Sequence, residues 1–371
     1  MRKALMHILI LAALALTTLV LSCERRPLYY VEEPGLKVIV KVIWQVEVYP
    51  DGIKPSGVTM YFFRDGKFFR SETSANVDSC AVQLEPGRYK LFMITQSPEE
   101  YSQMEFNDMT DFEKAFVSVL ETRSKWYTKA DDEVLIGNPE PMAAGVSEEF
   151  EVTEDMVENY QHYNYQLRMR QRQLEASQRS YDPELTKAET MVNYYTIRVP
   201  VHPRNIVSQY WVTIYSNNAD VLHSVRASTS GMARNYLLTE DRTGPEEGTQ
   251  FITQWSLSMD DPFTRVGHVD GIITTFGFPN GEMPSPQRDS TLNVAALLID
   301  NQTVENYVFN VGDKIAPGIP STGYRSLYRL ILGSVETPAI HPPDVQPADE
   351  SSGFDATVQD WDDGGTLEVG M

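Results

Sequence analysis

Cysteine is scarce in this 371-residue chain, which has only Cys23 and Cys80. That excludes a disulfide-dense scaffold and a four-cysteine zinc site. Histidine is also rare: six occur, at positions 7, 162, 202, 223, 268 and 341, and none lies in a His-Glu-x-x-His helix or at metal-ligand spacing from another. The sequence also lacks a Gly-x-Ser-x-Gly elbow, a Walker loop, a dinucleotide fingerprint and a Cys-x-x-Cys pair. Carboxylates are plentiful, but their spacing singles out no acid–base pair. Nothing here argues for an enzyme, and no cofactor or metal is expected. Positive charge is short too, with 31 Lys and Arg against 52 Asp and Glu, a formal net charge of -21. Such a surface repels phosphate backbones, so nucleic acid is not an expected partner. Asp360-Trp361-Asp362-Asp363-Gly364-Gly365 starts like a calcium loop but has Met371 where the closing glutamate belongs. An acidic turn at Asp363-Gly364 is the better reading.

One apolar run stands out, Ile8 to Leu16 behind Arg2 and Lys3, which is the order of a secretory signal and too short for a confident transmembrane helix. It leads into Leu19-Val20-Leu21-Ser22-Cys23, which resembles a bacterial lipobox, with cleavage between Ser22 and Cys23 and lipid on the Cys23 thiol. Val20 and Leu21 depart from the preferred residues of that motif. Polar Glu24-Arg25-Arg26-Pro27 follows at once, as no core helix would. With Cys23 lipidated, Cys80 has no disulfide partner and reads as a small buried hydrophobe in a strand.

Leu36 to Tyr49 is dense in β-branched and aromatic residues and closes on Pro50-Asp51-Gly52, predicting a long strand. Val58 to Phe63, the turn Asp65-Gly66 and Phe68-Phe69-Arg70 predict a hairpin; Val82 to Leu84, Glu85-Pro86-Gly87 and Tyr89 to Ile94 predict a strand, a tight turn and a strand. Two helices are expected among them. In the first, over about 110–121, Phe112, Ala115, Phe116, Val119 and Leu120 follow a helical stripe behind a Thr110–Glu113 capping box. The second, over about 154–180, has Glu154 and Asp155 in its first turn and a stripe of Met156, Tyr160, Tyr163, Leu167 and Leu174. Strand-like runs resume from Asn193 and recur up to Leu332. A Pro-rich stretch from Pro338 and a terminal apolar hairpin around Asp363-Gly364 end the chain. That hairpin must bury its face, on its own second domain or by strand addition to a neighbouring subunit.

Several motifs, taken in order, resemble the fimbrillin-related surface lipoproteins of Bacteroidetes, in particular the fimbrial-anchor branch. They are Cys23-Glu24-Arg25-Arg26-Pro27-Leu28-Tyr29, Val42-Ile43-Trp44, Pro55 to Phe63 with Asp65-Gly66, Leu84-Glu85-Pro86-Gly87-Arg88-Tyr89, Ser228 to Ala233, and Val358 to Trp361. The resemblance implies a mostly β chain of two tandem transthyretin-like β-sandwich domains with helical insertions in the first. The expected divisions are a signal at 1–22, a tether at 23–35, domains at 36–189 and 190–337, and a tail at 338–371. It also implies a lipid anchor in the outer membrane, exposure at the cell surface, and a structural or adhesive role as a fimbrial anchor or accessory subunit that meets other fimbrial subunits by strand addition. The alternative is a glycan-binding surface lipoprotein, for which Trp211 and Trp255 are stacking candidates unless they pack in the core.

Overall fold

A computed structural model describes residues 35–45, 47–124, 127, 133–177, 181–283 and 290–348. Ser22, Cys23, most of the tether and the terminal hairpin lie outside them.

The chain is mostly β. In one sheet β1 (Leu36–Val42) lies between β4 (Ser79–Leu84), antiparallel, and β11 (Ile197–Val201), parallel. A second sheet runs β12 (Arg204–Asn205), β9 (Ala143–Val146), β5 (Gly87–Thr95), β2 (Val58–Arg64), β3 (Lys67–Ser74), with β10 (Phe150–Val152) also on β5. Strand periodicity explains how they close. Val38, Val40, Val82, Met60, Phe62, Leu91 and Met93 alternate into one shared core. The opposite side chains of β2 and β5, Tyr61, Phe63, Phe92 and Ile94, are buried in a second, larger core, so β2 is hydrophobic on both faces.

That larger core belongs to the other sandwich. One of its sheets is ordered β18 (Trp255–Asp261), β19 (Val266–Thr275), β13 (Ser208–Ser216), β23 (Leu327–Leu332), β22 (Ile315–Gly318). The other is ordered β21 (Val304–Asn310), β20 (Thr291–Leu298), β14 (Leu222–Ala233), β17 (Glu247–Ile252), β8 (Leu135–Ile136). A bridging sheet, β16 (Arg242–Thr243), β15 (Asn235–Leu237), β7 (Phe116–Val119), β6 (Met104–Asn107), joins early and late strands.

Three sequence expectations change. The helix expected over about 110–121 is two successive turns followed by β7: the Asp111 amide donates to the carbonyl of Asp108, whose φ is 51°, and the Ala115 amide to the Asp111 carbonyl. β7 then pairs with β15, and that distant partner overrides the local helical spacing. The long first strand stops at Val42, seven residues before Tyr49. The helical insertion is two helices, α1 (Glu154–Ser177) and α2 (Pro183–Tyr195). The Asp182 carboxylate caps α2 by accepting from the Glu184 amide at 3.0 Å, and Pro183 occupies a position in the first turn that needs no donor.

The stretch after Pro338 is a strap packed on the second sandwich. Ile340 is fully buried, the Ala339 amide donates to the Tyr215 carbonyl, Arg265 pairs with Asp344 at 2.9 Å, and the Ala348 amide reaches the Ile299 carbonyl.

Candidate interaction surface

Each sheet edge presents unpaired backbone groups, so the residues on the edges decide which of them can take a partner. β3 carries Lys67, Arg70 and Glu72; β11 and β22 contain Pro200 and Pro317. β21 has neither lysine nor proline, but its core-facing Tyr307 and Phe309 pack against the larger core. β18 differs from all of these. It pairs with β19 on one side and, among the described residues, with no strand on the other. Leu257 and Met259 stand opposite Val269 and Gly267, on the core-facing side of the sheet, yet they are 44% and 41% exposed. Past the end of β18, Phe263 is fully exposed on a turn fixed by the Asp261 carboxylate, which accepts from the Phe263 amide and the Thr264 hydroxyl.

A chain of hydrogen bonds on the outer face ties this edge to the sheet. The Trp211 indole N–H donates to Asp270 Oδ1 at 3.2 Å, and the Thr213 hydroxyl donates to the same atom. His268 Nε2 lies 3.3 Å from Asp270 Oδ2, and its Nδ1 lies 2.7 Å from Asp260 Oδ2 on β18. The Tyr215 ring rests against His268, and the Arg329 guanidinium lies 5.8 Å from the Trp211 ring centre.

The two tryptophans proposed as sugar platforms part company. Trp255 is partly buried, donates to the Ile252 carbonyl and lies over Gly271, where even a Cβ would come within 2.9 Å of its ring. It is a packing residue. Trp211 points outward and is 38% exposed. Cys80 is buried in the first core, and burial pushes its thiol pKa up, which keeps it protonated and inert. Among the described residues no cluster of His, Cys, Asp and Glu is arranged to hold a metal, and no helix is long and apolar enough to cross a membrane. Ser22 and Cys23 lie outside the described residues. The open edge escaped sequence reasoning because strand order within a sheet leaves no local mark. The alternation of Leu257 and Met259 with serines was its only trace.

The architecture is that of a β-sandwich protein. Residues 22–253 match the model of the family described as a domain of unknown function, DUF5119, and because this is more than half its length the chain belongs to that family. Among solved structures, a candidate adhesin from Bacteroides ovatus is similar with a TM-score of 0.50 at 13% identity, covering 84% of this chain and 95% of the other. The fimbrial anchor protein Mfa2 from Porphyromonas gingivalis gives 0.39 at 12%, covering 74% and 82%. A candidate polysaccharide-binding protein from Bacteroides thetaiotaomicron gives 0.43 at 10%, covering 82% and 94%. No curated protein matches the sequence.

Proposed function

We propose that this chain is an outer-membrane lipoprotein, anchored through Cys23, that serves an adhesive or structural role and binds another surface subunit by strand addition along β18. The observation that carries the reading is the open edge, where Leu257 and Met259 are exposed on the side of the sheet that normally faces a core. An incoming strand would satisfy the free backbone groups of β18 and cover both side chains. The lipobox-like segment ending at Cys23 supports the anchor, since the two or three acyl chains of a mature lipoprotein hold a membrane stably where one does not. The likeness of fold to the candidate adhesin supports the class.

Both parts are testable in one labelling experiment in a Bacteroidetes host given a clickable fatty acid and a surface crosslinker. The native chain takes up label and forms a crosslinked adduct with a second surface protein. Cys23→Ser loses the label. Leu257→Lys combined with Met259→Lys keeps the label and loses the adduct. Equal label on the Cys23 variant would overturn the anchor, and an unchanged adduct in the double variant would overturn the edge. The glycan alternative draws on a separate observation, the exposed Trp211.

A further inference from the structure

We infer that the outer face of the β18-β19-β13-β23-β22 sheet is a saccharide-binding face, with Trp211 as its stacking platform and a neutral oligosaccharide as its ligand. This goes beyond the adhesive reading and does not depend on β18 taking a partner.

The face follows from strand register. Across it, Ile272, Trp211, Arg329 and Ala316 form one row. Ser256, Asp270, Thr213 and Ile331 form the next, and Ser258, His268 and Tyr215 the third. No described element covers these rows: Trp211, Ile272 and Ile331 are 38%, 43% and 48% exposed. At about 4.8 Å per strand, five strands span about 19 Å, which suits several linked sugars.

Three features select a sugar over a protein. The indole is fixed, because its N–H is held by a carboxylate that is itself held by Thr213 and His268. A ring pinned this way offers the part of its surface that Arg329 leaves open to the C–H face of a pyranose without first losing rotamer freedom. Asp270 and the Arg329 guanidinium stand beside the ring, and serine and threonine hydroxyls and the His268 imidazole occupy the next rows of the face, planar or small groups suited to vicinal hydroxyls. The core of a protein interface is depleted of charge, whereas here Asp270 and Arg329 flank the central aromatic. The formal net charge of -21 repels polyanions, which points to a neutral glycan.

Native gels cast with yeast mannan, galactomannan or dextran test the inference with the full chain in mild detergent. At least one polymer retards the native chain, and Trp211→Ala weakens that retardation tenfold or more. The Trp211→Ala variant loses the Asp270 hydrogen bond and the Arg329 contact, so it is compared well below its own thermal midpoint, where it stays folded. Asp270→Ala, which leaves the ring in place but unpinned, weakens it less. The Leu257→Lys, Met259→Lys variant binds glycan like the native chain, so failure of the edge proposal and failure of this one are told apart. No retardation by any of the polymers, retardation unaffected by Trp211→Ala, or a protein adduct lost with Trp211→Ala while no glycan binds would each overturn it.

Discussion

Asp241 has a φ of 53°, a left-handed conformation that Asp tolerates better than most residues, and the turn it makes sets its carboxylate among donors from three parts of the chain. Arg325 Nη1 approaches at 2.7 Å, the Tyr236 hydroxyl donates at 2.7 Å, and Arg204 on β12 lies at 3.2 Å. Burial alone would raise its pKa, but the hydrogen bonds from Arg325 and Tyr236 and the charges of Arg325 and Arg204 outweigh burial and hold it below the usual carboxylate range. A depressed folded-state pKa stabilises the fold above the unfolded value, near 3.9, and that stability is lost as pH falls through the folded value. Arg325→Met is therefore expected to cost about 1–2 kcal/mol at neutral pH, discounted because both side chains keep some solvent contact. The difference from the native chain should shrink toward pH 3. Urea midpoints at pH 7 and pH 3 check this, and a pH-independent difference would argue for lost packing instead. None of this cluster was visible in the sequence, since Arg204, Tyr236, Asp241 and Arg325 carry no shared motif.

Among elements, the helical hairpin shows what local sequence encodes well and where it stops. Acidic residues in the first turn and a stripe through Tyr160 located α1, and Tyr160 is the residue it buries. The same 3.6-residue logic misread 110–121, because the partner of β7 lies more than a hundred residues downstream. Which strand is an edge was unreadable for the same reason. α1 is about 36 Å long, yet only Met156, Val157 and Tyr160 near its start, and Val192 and Tyr195 near the end of α2, pack against the first core. Beyond that base the helices pack on each other, with Tyr163 stacked 6.0 Å from Tyr195. Replacing residues 164–188 with a short Gly-Ser linker should therefore remove helical signal in circular dichroism and leave the thermal midpoint within a few degrees. A large loss of stability would mean the distal hairpin supports a core.

At the scale of the whole molecule, the two sandwiches are interlocked as well as arranged in series. β7 and β8, from the first half of the chain, pair with β15 and β17. β11 and β12, past residue 190, pair back with β1 and β9. The larger core takes side chains from Tyr61 to Ile340. Strand density and turns were enough to read a mostly β chain from the sequence. The exchange of strands between the two sandwiches was not legible, because pairing over such distances is set by tertiary packing. A boundary at 190 would strip β1 of its parallel neighbour. The expected result of calorimetry is one cooperative unfolding transition, with limited proteolysis cutting first in the helical hairpin. Two well-separated transitions would show that the shared strands carry little of the stability.

The central placement of β1 has a mechanical consequence. The chain enters the fold at Leu36, directly after the segment that would lead to the membrane, and β1 is gripped on both sides, at five positions by β11 and six by β4. Tension applied at that end along the strand loads both ladders in shear, so their bonds must yield together and cannot be peeled one at a time. Were the chain anchored through Cys23 as proposed, a load from flow would be resisted at the first strand after the anchor.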